Sequence, residues 1–273
     1  MAGETAPIVG TVPLSIEMVV AGLFALAVYN SIEIYISIFY TFRRRQGLYF
    51  WSMLAANTGI PILSISELLR YFALMPVASM SVVFVFGWWL MASGQSLVLY
   101  SRLHLLMGHS SKLRWLLSII VGVFLLFQIP TSILFIYDNF VKGLAPPVAI
   151  AFSVIEKAQL VAFTIQESVL SGFYVYEAAK MLKPMEITKG PQVRTIYREL
   201  IGLFVLVVVL DISLVIVQYT NNFHIQTMYK PVIYSIKLKG EALVLNNLIK
   251  LVRSGSRSCQ AGIGVGATGR SWV

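Results

Sequence analysis

Seven times along this chain a predominantly apolar stretch runs for about 20 residues or more, the length an α-helix needs to cross the roughly 30 Å hydrocarbon core of a bilayer. Hydropathy places these stretches near 14–42, 48–73, 77–103, 114–137, 147–178, 199–219 and 231–252. The expected fold class is therefore all-α: a polytopic membrane protein with seven transmembrane helices. Composition agrees, since 58% of the 273 residues are hydrophobic and 12% are charged, against about 25% charged in a soluble domain. Seven spans leave about 105 residues for every loop and tail, so no separate soluble domain fits. The expected division is a short outer segment over 1–13, the seven-helix domain over 14–252, and a basic tail over 253–273. That tail is rich in Gly and Ser and is expected to be disordered.

Basic residues orient the bundle. Arg43, Arg44 and Arg45 follow helix 1; Arg102, Lys112 and Arg114 follow helix 3; Lys180, Lys183, Lys189, Arg194 and Arg198 lie between helices 5 and 6. The tail adds Lys250, Arg253, Arg257 and Arg270, which brings the inner set to fifteen of the 21 Lys and Arg residues. The positive-inside rule then puts the N-terminus outside and the C-terminus in the cytoplasm. The net charge of +9 is mostly this topology signal, with some attraction to anionic lipid, and nucleic-acid binding is not expected. No basic residue precedes the first stretch, which reads as a retained anchor rather than a cleaved signal.

The outer connections are short, near Ala73 to Pro76, Asp138 to Pro146 and Thr220 to Lys230, so any ligand must enter the bundle or dock on a small surface. The inner connection from Lys180 to Arg198 carries Pro184, Gly190 and Pro191, which punctuate it as a loop. A cytosolic partner is expected there, on a surface including Arg102, Lys183, Lys189 and Arg194. The single cysteine, Cys259, excludes an intramolecular disulfide and a thiolate metal cluster. It reads as a free thiol, with palmitoylation the alternative.

Helix 3 contains Gly94-Gln95-Ser96-Leu97-Val98-Leu99, and helix 7 contains Gly240-Glu241-Ala242-Leu243-Val244-Leu245, identical at four of six positions. Helix 1 reads Glu33-x-x-x-Ser37-x-Phe39-Tyr40-x-Phe42, and helix 5 reads Glu167-x-x-x-Ser171-x-Phe173-Tyr174-x-Tyr176. Helices 2 and 6 match weakly, through Tyr71 and Tyr219. Two matches in corresponding order and direction point to a 3+1+3 repeat with helix 4 as linker. The arrangement resembles SWEET-type sugar transporters, and a similar duplication has been suggested for microbial rhodopsins, so carrier and sensor both stay open.

Charges at membrane depth mark the candidate site. Counted at 1.5 Å per residue from the basic inner borders, Glu33, Glu167, Asp211 and Glu241 fall about 14 to 20 Å inward, near the midplane. Each uncompensated charge at the centre costs about 2.5 to 3.5 kcal/mol, so these groups are expected to face inward, pair, or meet water. On helix 5, Glu156, Gln159, Phe163, Gln166 and Leu170 share one face. The expected ligand-or-ion cavity is formed by Glu33, Gln95, Gln159, Gln166, Glu167, Asp211, Lys237 and Glu241, with Lys237 paired to Glu241 or Asp211. The competing reading is structural glue between helices. Tyr49, Phe50, Trp51, Trp88, Trp89 and Trp115 read as interfacial belts or lipid-facing packing.

Other motifs carry little. Tyr100-Ser101-Arg102 is weakly similar to the inner triplet of G-protein-coupled receptors, without the preceding acid. Lys237 or Lys239 in helix 7 invites a retinal Schiff base, but the helix 3 signature of microbial rhodopsins is missing. His104 and His109 have no metal spacing, and there is no nucleophile motif, phosphate loop or HExxH. No metal, cofactor or catalytic residue is expected, and no enzyme activity.

The runs Gly47-Leu48-Tyr49-Phe50-Trp51, Gly87-Trp88-Trp89, Gly94 through Leu103, and Tyr234-Ser235-Ile236-Lys237-Leu238-Lys239-x-Glu241 resemble a family of uncharacterised fungal integral membrane proteins. The resemblance implies a seven-helix membrane protein and names no site residues. The leading functional expectation is a receptor-like or sensory protein with a small-ligand cavity inside the bundle. The alternative is a small-solute transporter on the repeat, with a retinal photoprotein a distant third. The implied partners are the lipid bilayer, a small molecule, and a cytosolic protein.

Overall fold

The computed structural model describes residues 14–41, 47–72, 74–107, 111–141, 146–219 and 225–244, with backbone alone at 41, 105, 111, 141, 146–149, 181–194 and 196. These residues are helical almost throughout: α1 (Leu14–Thr41), α2 (Leu48–Tyr71), α3 (Val77–Met107), α4 (Ser111–Val123), α5 (Ile129–Val141), α6 (Pro146–Gln218) and α7 (225–244). A π-helical turn, Phe124–Gln128, joins α4 and α5 into one rod. Pro130, just beyond it, has no N–H and its ring crowds the carbonyl four residues back, which a widened turn relieves. The N-terminal segment, the tail and Cys259 lie outside the described residues.

Five stretches are long and apolar enough to cross a bilayer: Leu14–Tyr40, Leu48–Tyr71, Val77–His104, Lys112–Phe140 and Tyr197–Gln218. The first arm of α6 and α7, expected as spans 5 and 7, are not among them. Gln159, Gln166 and Glu167 dilute the former, while Lys230, Lys237, Lys239 and Glu241 interrupt the latter. Both depend on neighbours to cover these groups.

The loop expected between Lys180 and Arg198 is replaced by helical backbone, for α6 is continuous from Pro146 to Gln218. It nevertheless reverses. A straight helix would hold Glu167 and Asp211 about 66 Å apart, yet both carboxylates contact the Lys237 ammonium. Gly172 faces the Phe204 ring, and the Lys157 ammonium lies 5.4 Å from the centre of the Tyr219 ring. All three pairs are centred on position 188 or 189, so the chain doubles back between Pro184 and Pro191, beside Gly190. Proline is tolerated in the first turn of a helix, so Pro191 suits the start of the returning arm.

Helix directions follow from the same kind of pairing. Ala56 meets Gly94 and Leu63 meets Gly87, so α2 and α3 are antiparallel. Trp89 donates to Ser132 at 2.8 Å and Ser93 to Gln128 at 3.3 Å, which makes α5 antiparallel to α3. Asn30 pairs with Ser235 and Glu33 with Lys239, so α1 and α7 are parallel. Glu156 with Lys230 and Glu167 with Lys237 make the first arm of α6 parallel to α7.

The α2–α3 contact is a backbone contact. A Cβ on Gly94 would sit 2.7 Å from Ala56 Cα, and one on Gly87 would sit 2.8 Å from the Leu63 nitrogen. Gly59 opposes Met91 in the same seam. Pro61 leaves the Asn57 carbonyl without its helical donor. The Ser31 hydroxyl of α1 donates to that carbonyl at 3.4 Å, and the Asn57 amide returns a bond to Ser31 O at 3.0 Å.

Candidate functional site

One face of α7 carries Lys230, Tyr234, Lys237 and Glu241 at spacings of four, three and four residues, the repeat of a single helical face. This stripe extends about 16 Å along the helix. At its first end Lys230 Nζ lies 3.1 Å from Glu156 Oε1 of α6. In the middle, Lys237 Nζ donates to Glu167 Oε2 at 2.7 Å and also to Asp211 Oδ1, bridging both arms of α6. Tyr234 presents its ring 5.0 Å from the same ammonium. At the far end, Gln95 Nε2 of α3 donates to Glu241 Oε1 at 2.7 Å. Arg102 Nη2 donates to the Glu241 backbone oxygen, and its Nη1 stands 3.9 Å from Glu241 Oε2.

The middle and far end are sealed. Lys237 is 0% exposed, Gln95, Arg102, Glu167 and Glu241 are 1%, and Asp211 is 2%. Isolated charges so deep would be costly, and the contacts offset that cost by pairing and hydrogen bonding. Beside these contacts Gln166 donates to Ser96 Oγ at 2.8 Å. Arg102 also lies 5.0 Å from the Tyr174 ring, and Tyr49 of α2 is within electrostatic reach of Arg102 and Glu241.

Six of the eight expected cavity residues, Gln95, Gln166, Glu167, Asp211, Lys237 and Glu241, thus lie on the interface of α3, α6 and α7. They form three adjacent polar clusters there, Gln95 with Glu241, Lys237 with Glu167 and Asp211, and Gln166 with Ser96. Two residues depart from the expectation. Glu33, half-exposed, pairs at 2.6 Å with Lys239, on the opposite face of α7 from Lys237. Gln159 is buried on the α6 face, but neither end of its amide is hydrogen bonded among the described residues. Lys237 pairs with Asp211, as one expected alternative had it, and with Glu167. It does not pair with Glu241, whose carboxylate is held by Gln95.

Arg102 corrects a second expectation. Expected on a cytosolic partner surface, it is 1% exposed and bonded to Glu241. Its long side chain turns inward because α7 offers a backbone oxygen and a carboxylate there. Lys183, Lys189 and Arg194 have side chains outside the described residues. Tyr49 and Phe50 are buried and Trp89 is bonded to Ser132, so the aromatic-belt reading survives at Trp51 and Trp115, both strongly exposed.

A narrow cleft, with an enclosed space of about 20 Å³, lies between Leu63, Phe84, Trp88, Phe135, Glu156 and Lys230, and no sequence pattern pointed to it. It opens beside the Glu156–Lys230 pair, at the end of the α7 stripe. Behind it the Arg70 guanidinium lies 5.0 Å from the Phe135 ring and bonds Glu67 at 3.1 Å. The 3-4 spacing of Lys230, Tyr234, Lys237 and Glu241 was available to find the stripe; the cleft needed tertiary structure.

No curated protein and no solved structure matches this chain. A family described as a domain of unknown function, DUF7703, matches residues 9–263. The match spans the helical bundle and the whole polar stripe, and the chain belongs to this family, whose function is unknown.

Proposed function

We propose that the chain is a receptor-like or sensory membrane protein of seven spans, with its N-terminus outside, its C-terminus in the cytoplasm, and a fungal origin as the sequence resemblance implies. The observation that carries this reading is the α7 stripe. It links a cleft walled by aromatic side chains to Arg102 at the other end of α3 through Lys230, Lys237 and Glu241. Aromatic walls with a few convergent polar groups are the usual make-up of a small-molecule site. A ligand that disturbs the Glu156–Lys230 pair acts directly on α7, whose remaining polar contacts reach α1, α3 and both arms of α6. Output goes to a cytosolic protein at the connection carrying Lys183, Lys189 and Arg194.

A second reading, a small-solute carrier, is favoured by a different observation. Gly94 packs on Ala56 of α2, and Gly240 packs on Leu203 in the returning arm of α6. The matched residues Gln95 and Glu241 bond each other. That is the relation expected of a 3+1+3 repeat whose axis passes between them.

Purified full-length protein reconstituted into liposomes separates the two. A panel of small solutes is screened for a shift in unfolding temperature and for uptake. The receptor reading expects a solute that raises the unfolding temperature without being accumulated. Saturable uptake abolished by Glu241→Ala would overturn it in favour of the carrier.

A further inference from the structure

The sealed part of the bundle does not balance its charges. Four acidic side chains among the described residues are 3% exposed or less: Glu67, Glu167, Asp211 and Glu241. Three basic ones are 5% exposed or less: Arg70, Arg102 and Lys237. Glu67 and Arg70 form their own pair at 3.1 Å, and Lys237 is shared by Glu167 and Asp211. Glu241 and Arg102 are left to each other, but their contact is poor. Nη2 of the guanidinium donates to the Glu241 backbone oxygen, and the nearest approach of the charged groups is Nη1 to Oε2 at 3.9 Å, beyond hydrogen-bond distance.

Glu241 also differs from the other two carboxylates in what holds it. Its Oε1 accepts from the neutral Gln95 amide at 2.7 Å where the other two accept from the Lys237 ammonium; its Oε2, like Glu167 Oε1 and Asp211 Oδ2, is buried with no hydrogen bond. A group so placed behaves as a neutral acid would, with Oε1 as the carbonyl oxygen. The matching position in helix 3 is a glutamine, the neutral isostere of a protonated glutamate. The two residues meet side chain to side chain, as two neutral groups can without cost in low dielectric.

We propose that Glu241 is a proton-binding site of this protein, with the proton on Oε2, and that this proton neutralises the one excess negative charge of the α3–α6–α7 core. The groups that face it are Gln95 and Arg102 from α3, Glu167 from the first arm of α6, Tyr49 from α2, and Lys237 on α7 itself. Asp211 of the returning arm acts through Lys237. Losing the proton leaves a carboxylate beside Arg102, which then turns from the Glu241 backbone oxygen to Oε2. That exchange shifts the α3–α7 contact between two discrete arrangements. The inference stands apart from the choice between receptor and carrier, since both can use a proton.

Infrared spectroscopy of the purified full chain in lipid nanodiscs tests it, because a protonated carboxyl has a carbonyl band that ionised carboxylates lack and that shifts in heavy water. The wild-type protein at neutral pH is expected to show such a band. The wild type minus Glu241→Gln difference should contain it as one carboxylic-acid component. Absence of the band in wild type, or an unchanged band in Glu241→Gln, would overturn the proposal. Should Glu241→Gln not accumulate, wild-type protein carrying glutamate labelled with carbon-13 at its side-chain carboxyl decides the matter: the band is expected to move to lower frequency, and a band that stays in place puts the proton on an aspartate and overturns the proposal.

Discussion

The α2–α3 contact and the contacts of α7 are both tight, but they are made of opposite materials. Between α2 and α3, glycines at 59, 87 and 94 bring two backbones together, and most buried hydroxyls bond within their own helices, as Ser64 does to Ile60 O at 2.8 Å and Ser66 to Leu63 O at 2.9 Å, with one hydroxyl contact across the seam, Ser52 to Ser101 at 3.5 Å. The glycine contacts of that seam carry no charge. Along α7, by contrast, Lys230, Ser235, Lys237, Lys239 and Glu241 each bond a side chain of another helix or another arm. In lipid there is little hydrophobic drive between helices, so association rests on close packing or on interhelical polar bonds. The first pair uses packing and forms a fixed frame. The second uses polar bonds, so the seat of α7 responds to any change in charge.

Substituting the centre of that polar seat is expected to have the largest effect. Lys237→Ala leaves Glu167 and Asp211 buried without a cation, and removing one partner of a buried ion pair costs about 3 to 5 kcal/mol. Reversible unfolding in mixed micelles, followed by helical circular dichroism, checks this. The triple variant Lys237→Met, Glu167→Gln, Asp211→Asn should recover most of the loss, because it leaves no charge to compensate. Failure to recover would mean that Lys237 acts by filling space rather than by charge.

The frame is expected to break differently. Gly94→Ala drives a methyl against the Ala56 backbone and should cost about 1 to 3 kcal/mol, the range for overpacking, with no neutralising second change able to restore it. Gly240→Ala should cost less. The atom nearest its new methyl is Leu203 Cδ1, the end of a side chain that can rotate away. Equal losses at the two glycines would show that α7 is packed as rigidly as α3.

These two seams also differ in how far they were legible from sequence. Long apolar runs are nearly all that a membrane helix needs, so α1 to α5 and the returning arm of α6 could be read directly, to within a few residues. The burial of Glu167, Asp211, Lys237 and Glu241 could be expected from the cost of a charge in hydrocarbon, and the opposed faces of Lys237 and Lys239 from the helical repeat. Which carboxylate Lys237 takes could not, because that depends on the reversal of α6 bringing position 211 back beside position 167. Arg102 was misplaced for a similar reason. A basic residue near a helix end looks the same whether it turns to water or, as here, into the bundle to reach Glu241. Glu33, expected with the core from its match to Glu167, pairs instead with Lys239, because a sequence match does not fix the partner that a long side chain finds.

A smaller effect is expected where α1 meets α2. Asn57→Leu removes the amide that bonds Ser31 O and disturbs the hydroxyl bond to the carbonyl that Pro61 sets free. Interhelical polar contacts of this kind average about 0.6 kcal/mol in membrane proteins, and a loss near that value is the expected outcome in the same unfolding measurement. A loss of several kcal/mol would put this contact in the class of the α7 stripe.

The smallest effect belongs to the other lysine of α7. Lys239 pairs with Glu33 at 2.6 Å, shorter than the 2.7 Å from Lys237 to Glu167, yet the Lys239 and Glu33 side chains are 38% and 44% exposed. Distance alone would rank the two ion pairs equal. Exposure separates them, because a half-exposed pair has surrendered little hydration and its members do not rely on each other to be tolerated. Lys239→Gln is therefore expected to cost about 0 to 1 kcal/mol, against several for Lys237→Ala, although the two residues lie two positions apart. The measurement also reports what surrounds the α1–α7 seam. A loss near 3 kcal/mol, the cost of a charge left in hydrocarbon, would mean that lipid covers the seam and that Glu33 depends on Lys239 as fully as Glu167 depends on Lys237.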